Sequence, residues 1–177
     1  MSAEVGFDSS VLSPFARARR LDVLEQLTRG RRRVVTRAVL DEIERGRTLH
    51  PALGEVAALS WLEPVPVDSL DELVAFTAYL RILGSDARNV GESSILAWAE
   101  VRSGIALVDD QAAVNAAKAR HVMTRRSLSL LCDGLRTKIM TIAQARSLVD
   151  ELVAAGSRFP CDGAGFEAWA DLNGLLS

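Results

Sequence analysis

Seven side chains in this sequence could do chemistry together: Asp8, followed at once by the hydroxyls of Ser9 and Ser10, then Glu42, Glu92 and the adjacent pair Asp109 and Asp110. Each has a plain structural use when taken singly. Asp8, Asp109 and Asp110 can cap helices, because a carboxylate there accepts from an otherwise unpaired backbone N–H. Glu92, one residue past Gly91, suits the positive end of a helix dipole. Glu42 can be a solvated helix position beside the i, i+4 pair of Asp41 and Arg45. Brought together, they pose a different problem, since clustered carboxylates raise one another's pKa unless a cation sits among them. A hard ion such as Mg²⁺ or Mn²⁺ takes oxygen ligands, keeps part of its water and needs only a few carboxylates. One or two such ions can activate a water and steady the leaving oxygen of a phosphodiester. In that setting the hydroxyls after Asp8 orient a carboxylate or a bound water.

The elements around these residues decide whether they meet. Short β-rich runs alternate with longer helical patterns: "EVGFD" (4–8), "RVVT" (33–36), the Pro-containing, edge-like "LEPVPV" (62–67), "GIALVDD" (104–110) and "HVMT" (121–124) read as strands. "VTRAVLDEIERG" spaces Val39, Leu40 and Ile43 as a helix and stops at Gly46. "DSLDELVAFTAYLRIL" opens on Asp68 and Ser69 as caps and places Leu70, Leu73, Val74 and Leu80 on one stripe, predicting a buried face there. "GESSILAWAEV" and "DDQAAVNAAKAR" also read as helices. Strands separated by helices predict an α/β fold with a central parallel sheet covered on both faces, which gathers functional groups at the carboxyl ends of its strands. Three of the acidic positions directly follow a strand or open a helix. From Arg125 on the pattern is helical, with no linker before it, so residues 1–177 read as one domain: an α/β core over 1–124 and a helical C-terminal extension over 125–177.

Composition narrows the class. A chain of 177 residues, 49% hydrophobic and 25% charged, can bury one sizeable core and has no tract that reads as disorder. No apolar run approaches the roughly 20 residues that span a bilayer, and "MSAEVGFD" lacks the basic start of a secretory signal, so the expectation is a cytoplasmic protein without membrane association. Cys132 and Cys161 have no Cys-X-X-Cys or His partners and read as isolated thiols. The net charge of −2 hides a division: residues 1–47 hold ten Lys/Arg against seven Asp/Glu, residues 48–110 three against ten, and residues 111–177 eight against six. A local basic surface is compatible with that balance.

The order "FDSSVL", "VTRAVLDEIERG", "GESSILAWA", "ALVDDQAA" resembles the PIN-domain ribonucleases, the class that includes the VapC-like toxins of toxin–antitoxin pairs, and in particular a branch with a "GE" third and a "DD" fourth motif. The likeness runs over nearly the whole chain. It implies a three-layer α/β/α fold with a helical end and Mg²⁺- or Mn²⁺-dependent endoribonuclease activity. It places the first acid at Asp8 with Ser10 at the hydroxyl position, the second at Glu42, the third at Glu92 and the fourth at Asp109 or Asp110. Asp8, Glu92, Asp109 and Asp110 would be the metal ligands. As partners it implies an RNA substrate, a small antitoxin protein and a second copy in a homodimer. The third acid is usually Asp in that family, and Glu92 reaches one methylene further; a common Phe-containing pattern after the fourth acid is missing from "VDDQAA".

"ARARR" and "RGRRR" put Arg17, Arg19, Arg20, Arg29, Arg31, Arg32 and Arg33 on either side of one helix, a candidate path for single-stranded RNA. Aromatics are only 5% of the chain and do not interleave with them, so recognition would rest on phosphate and shape. Arg125 and Arg126 form a second basic pair. Trp61, Trp98 and Trp169 read as structural. His50 and His121 stand alone, and there is no G-X-S-X-G elbow or Gly-rich phosphate loop. The rival readings are a PIN-like binding module that cleaves little, and a phosphatase of the haloacid dehalogenase type, which expects a second Asp where Ser10 stands.

Overall fold

The computed structural model describes residues 4–87 and 89–176. Five parallel strands form one sheet in the order β3-β2-β1-β4-β5: β1 (Val5–Phe7), β2 (Arg33–Thr36), β3 (Glu63–Val65), β4 (Ile105–Leu107) and β5 (Met123–Arg125). The α/β class with a central parallel sheet thus holds, and the Pro-containing run is an edge strand, as its missing N–H requires. β1 is buried along its length, which is why it reads as an unbroken apolar run. Gly6 in its middle is dictated by packing. A Cβ there would lie 2.6 Å from Ile95 and 2.7 Å from Trp98, and one at Gly104 would lie 2.7 Å from the same indole. Trp98, 2% exposed, therefore seats against bare backbone of two neighbouring strands and is core.

Nine helices are described: α1 (Ser9–Arg17), α2 (Leu21–Leu27), α3 (Arg37–Gly46), α4 (Leu70–Leu83), α5 (Asn89–Arg102), α6 (Gln111–Ala119), α7 (Ser127–Arg136), α8 (Ile142–Ala154) and α9 (Phe166–Leu172), with a 3-10 turn at Pro51–Ala58. The chain adds strands outward from β1 to β3, then crosses back to lay β4 on the other side of β1. Right-handed crossovers put α1 and α2 on one face of the sheet and α6 on the other. α4 and α5 pack with α6, whereas α7, α8 and α9 pack in series against α2 and α1. The reversal makes the carboxyl ends of β1 and β4 the topological switch point, where such sheets open a crevice.

Two sequence expectations shift. The last strand starts two residues later than "HVMT" predicts, because His121 takes a left-handed φ of 59° and the Val122 amide donates to the Ala117 carbonyl, closing α6. More consequentially, Leu70, Leu73 and Val74 lie on the solvent side of α4; its buried residues are Glu72, Ala75 and Tyr79. Polar anchors overrule the apolar stripe here. Burial pushes the fully buried Glu72 carboxyl up, but Arg102 (2.9 Å) and the Ser69 hydroxyl and amide hold it below the usual range. The Tyr79 hydroxyl donates to Glu100 (2.8 Å), which Arg120 grips from α6 with two hydrogen bonds. Satisfying these buried groups fixes the rotation of α4.

Candidate active site

The crevice is built by β1 and β4 ending side by side. The Asp8 amide donates to the Leu107 carbonyl at 3.0 Å, extending the ladder by one residue before α1 begins. Asp8 is the N-cap of α1, with Oδ2 accepting from the Ser10 amide (2.9 Å) and the Ser10 hydroxyl (2.5 Å). The capping role foreseen for it is real and uses only one oxygen. Oδ1 is buried and has no protein partner, and the whole side chain has no exposure. Burial pushes its carboxyl above the ordinary range, and the charge of Asp109 adds to the rise against the hydrogen bonds from Ser10 and Ser9.

Glu42 projects from α3, whose first turn is fixed by Thr36 at the end of β2. Oε1 accepts from the Ser9 hydroxyl at 2.8 Å, while Oε2 is buried without a partner. Burial raises this carboxyl too, with Asp8 as the like charge beside it. The two serines after Asp8 thus divide the work: Ser9 holds Glu42 and Ser10 holds Asp8. Ser10 also accepts from the Asp109 amide at 3.1 Å, so a single hydroxyl joins the ends of both strands.

The adjacent aspartates separate cleanly. Asp110 is exposed and caps α6, accepting from the amides of Ala112 (2.8 Å) and Ala113 (3.1 Å). Asp109 turns inward, where Oδ1 accepts from the Ser127 amide (2.8 Å) and Oδ2 from the Ser127 hydroxyl (2.6 Å), at the first turn of α7. Burial still raises its carboxyl, with Ser127 and Arg126 pulling the other way. Arg126 donates to the Asp109 carbonyl at 2.8 Å, which makes it a clamp on this turn.

Glu92 lies partly buried in the first turn of α5, beside the glycine on which Glu42 rests. A Cβ on Gly91 would sit 2.4 Å from Glu42 Oε2, so the glycine leaves room for the second acid. The Ser94 hydroxyl donates to the Gly91 carbonyl (2.7 Å), leaving the Thr36 hydroxyl as donor to Ser94 (2.6 Å). This chain registers the start of α5 against the start of α3. Gly91, Ser94, Thr36 and Ser127 were missed as site residues in the sequence; only the Gly-Glu pairing hinted at the first, and nothing local marks Ser127.

Among the described residues no three acid, His or Cys side chains are drawn into a ready metal cage. Even so, two coupled buried carboxylates each keep one oxygen with no partner, Asp8 Oδ1 and Glu42 Oε2. A buried acid with an unsatisfied oxygen is costly unless a proton or a cation completes it. The donor set is all oxygen, and a hard ion that retains several waters asks for only one or two carboxylates from the protein, so the residues fit Mg²⁺ or Mn²⁺.

The arginine stretches do not form one surface. Arg20 forks onto Glu151 (2.5 and 3.0 Å), Arg32 onto Glu63 (2.9 and 2.7 Å) with Glu4 at 3.0 Å, and Arg33 donates to the Glu25 carbonyl while lying 5.2 Å over the Trp61 ring. Arg17 and Arg19 are exposed, Arg17 lying over Gly156. Arg31 instead shares an open cleft of about 690 Å³ between α2 and α7 with Arg29, Arg125 and Arg136, against the single acid Asp133.

A family model described as a PIN domain matches residues 4–162, nearly the whole chain. The protein belongs to the PIN-domain family. That membership carries nuclease-type hydrolysis as its general activity and divalent metals as its usual cofactors. No curated protein and no solved structure matches the chain. Among the described residues no helix is long and apolar enough to cross a membrane.

Proposed function

We propose that this protein is a Mg²⁺- or Mn²⁺-dependent endoribonuclease that hydrolyses RNA phosphodiester bonds in the cytoplasm, acting as the VapC-like toxin of a toxin–antitoxin pair and held in check by a small antitoxin protein. The observation that carries the reading is the pair of unpartnered, buried carboxylate oxygens on Asp8 and Glu42 at the sheet's switch point. Asp8, Glu92 and Asp109 would hold the ion, with Glu42 completing the acidic wall and Asp110 left to cap α6. When bound, the ion supplies Lewis-acid activation of water and neutralises charge developing on the phosphate. The protein's own contribution is orientation. Ser10 fixes the Asp8 carboxylate and ties it to the Asp109 turn, Ser9 fixes Glu42, and Ser127 fixes both oxygens of Asp109, so each acid enters the reaction already in place. Arg29 and Arg31 in the cleft, with Arg17 and Arg19 exposed nearby in sequence, are the groups available to RNA phosphates; Arg125 and Arg136 share Asp133 there, and Arg20, Arg32 and Arg33 serve chiefly to bind carboxylates, a carbonyl and an indole.

The alternative is a PIN module that binds RNA or protein and cleaves little, favoured by Glu92 in place of a shorter Asp and by the loose spacing of the acids. One experiment separates the two: purified protein, freed of any partner, is given a mixed single-stranded RNA pool with Mn²⁺, Mg²⁺ or EDTA. The nuclease reading expects metal-dependent cutting that falls about 100-fold or more in Glu42→Gln. Folded protein that binds RNA without cutting it would establish the binding module.

A further inference from the structure

Four arginines gather in the cleft between α2 and α7, and they come from three separate stretches of chain. Arg29 and Arg31 flank Gly30, whose φ of 81° lets the loop after α2 turn sharply; Arg125 ends β5, and Arg136 closes α7. The single carboxylate of Asp133 stands against them, so three positive charges go unanswered. No side-chain hydrogen bond or ion pair among the described residues engages Arg29 or Arg31. Arg125 lies 3.8 Å from one Asp133 oxygen, too far for a hydrogen bond, and Arg136 donates to the other. Such half-exposed pairing holds weakly, and most of the guanidinium N–H donors remain for another anion.

The cleft continues past this basin. Gln26 and Ile139 also wall an adjoining hollow of about 290 Å³ between α2 and α8, lined further by Val23, Met140 and Leu148. No hydrogen bond engages the Gln26 side chain among the described residues, and Gln144 there spends only its Oε1, accepting from Thr141, which leaves its N–H donors. A charged basin beside an apolar hollow edged by amides has the size and make-up of a small-molecule site. We propose that this groove binds a free nucleoside polyphosphate, with the phosphates among Arg29, Arg31, Arg125 and Arg136 and the base against Met140 and Leu148, within reach of Gln26 and Gln144. Guanidinium forks match phosphate oxygens two at a time. Charges converging on one basin suit phosphates linked directly to one another, whereas a nucleotide chain sets a sugar between each. Asp133 already fills part of the anion basin and keeps the affinity moderate, with Kd about 10 μM. None of these residues belongs to the acid crevice, so nucleotide binding stands apart from the nuclease reading; only its competition with RNA for Arg29 and Arg31 rests on that reading.

Equilibrium dialysis of the full chain in EDTA, with ATP, GTP, inorganic tripolyphosphate and adenosine as probes, tests it without any ion in the crevice. At least one of the two nucleotides binds about 10-fold tighter than tripolyphosphate, and adenosine, which has no phosphate, is not retained. Arg29→Gln and Arg31→Gln, exposed positions that keep the fold by circular dichroism, each weaken the tighter nucleotide about 10-fold. Arg32→Gln, from the same stretch but with its guanidinium forked onto Glu63, leaves binding unchanged. Asp133→Asn tightens it about 5-fold by removing the competing carboxylate. No retention of any phosphate probe, nucleotides no tighter than tripolyphosphate, adenosine held as well as ATP, equal weakening by Arg32→Gln, or looser binding in Asp133→Asn would overturn the proposal. Displacement of a short single-stranded RNA by the nucleotide reports separately: its absence beside intact nucleotide binding would move RNA off Arg29 and Arg31 and leave the nucleotide site standing.

Discussion

The carboxylates at the switch point and the arginines of the two basic stretches are both charge clusters in sequence, and folding treats them in opposite ways. Asp8, Glu42 and Asp109 are turned inward, each held by a serine placed for it, and Asp8 and Glu42 each keep a buried oxygen without a partner. The arginines remain near the surface, and three of the stretch residues find fixed partners elsewhere: Glu151, Glu63 with Glu4, and Trp61. A buried charge must be held by specific neighbours, so its arrangement carries functional meaning; an exposed one pairs with whatever the fold brings near at little gain.

The largest expected break in this contrast is at Gly91. Replacing it with Ala gives a good helix former, worth up to about 1 kcal/mol in α5, but sets a methyl where Glu42 Oε2 now lies. Because the carboxylate end can swing away, the thermal midpoint holds while RNA cleavage falls about 100-fold, in line with disturbing a ligand's support. Loss of both together would point to simple misfolding. Next, Ser127→Ala strips the hydroxyl from Asp109, reducing cleavage about 10- to 100-fold, whereas Asp110→Ala removes a cap, costs about 1 kcal/mol of stability and leaves the rate alone. The reverse order of rate effects would reassign the ligand to Asp110.

A pH comparison sharpens the same point. In EDTA, Asp8 has a folded pKa above its ordinary 3.8 and Glu42 one above 4.5, so the folded state binds their protons more tightly than the unfolded chain does. Their contribution is complete below those ordinary values and is lost as pH rises through the raised ones. Glu63, Glu72, Glu100 and Glu151, shifted downward, work in the opposite sense, with stability lost on acidification. Melting curves of wild type and Asp8→Asn taken from about pH 4 to 7 therefore diverge upward in favour of the variant; parallel curves would mean that Asp8 carries no unfavourable charge. The smallest effects fall on the arginines. Arg32→Ala costs under about 1 kcal/mol and leaves RNA affinity unchanged, while Arg31→Ala lowers the salt dependence of binding by about 0.7 in slope, as one released phosphate contact on a single strand requires.

Much of the site was legible because its residues do two jobs at once. Asp8 ends a strand and caps a helix, and both leave a local pattern; the alternation of strands and helices then predicted that Asp8 and the Asp109–Asp110 pair would meet. The choice between Asp109 and Asp110 was not legible, since it depends on Ser127, eighteen residues further on and brought there by β5. The solvent face of α4 misled for the converse reason. Its apolar stripe is stronger locally than the buried side, and only the tertiary partners of Glu72 and Tyr79 show which way the helix turns.

Thermal melting with and without Mn²⁺, on wild type and Asp8→Asn, tests most directly that the crevice is a cation site. At about 100 times its Kd a bound ion adds about 2.7 kcal/mol, or roughly 5–10 °C for a chain of this size. The account predicts that rise in the wild type and its loss in Asp8→Asn; an equal rise in both proteins, or none in the wild type, would contradict it.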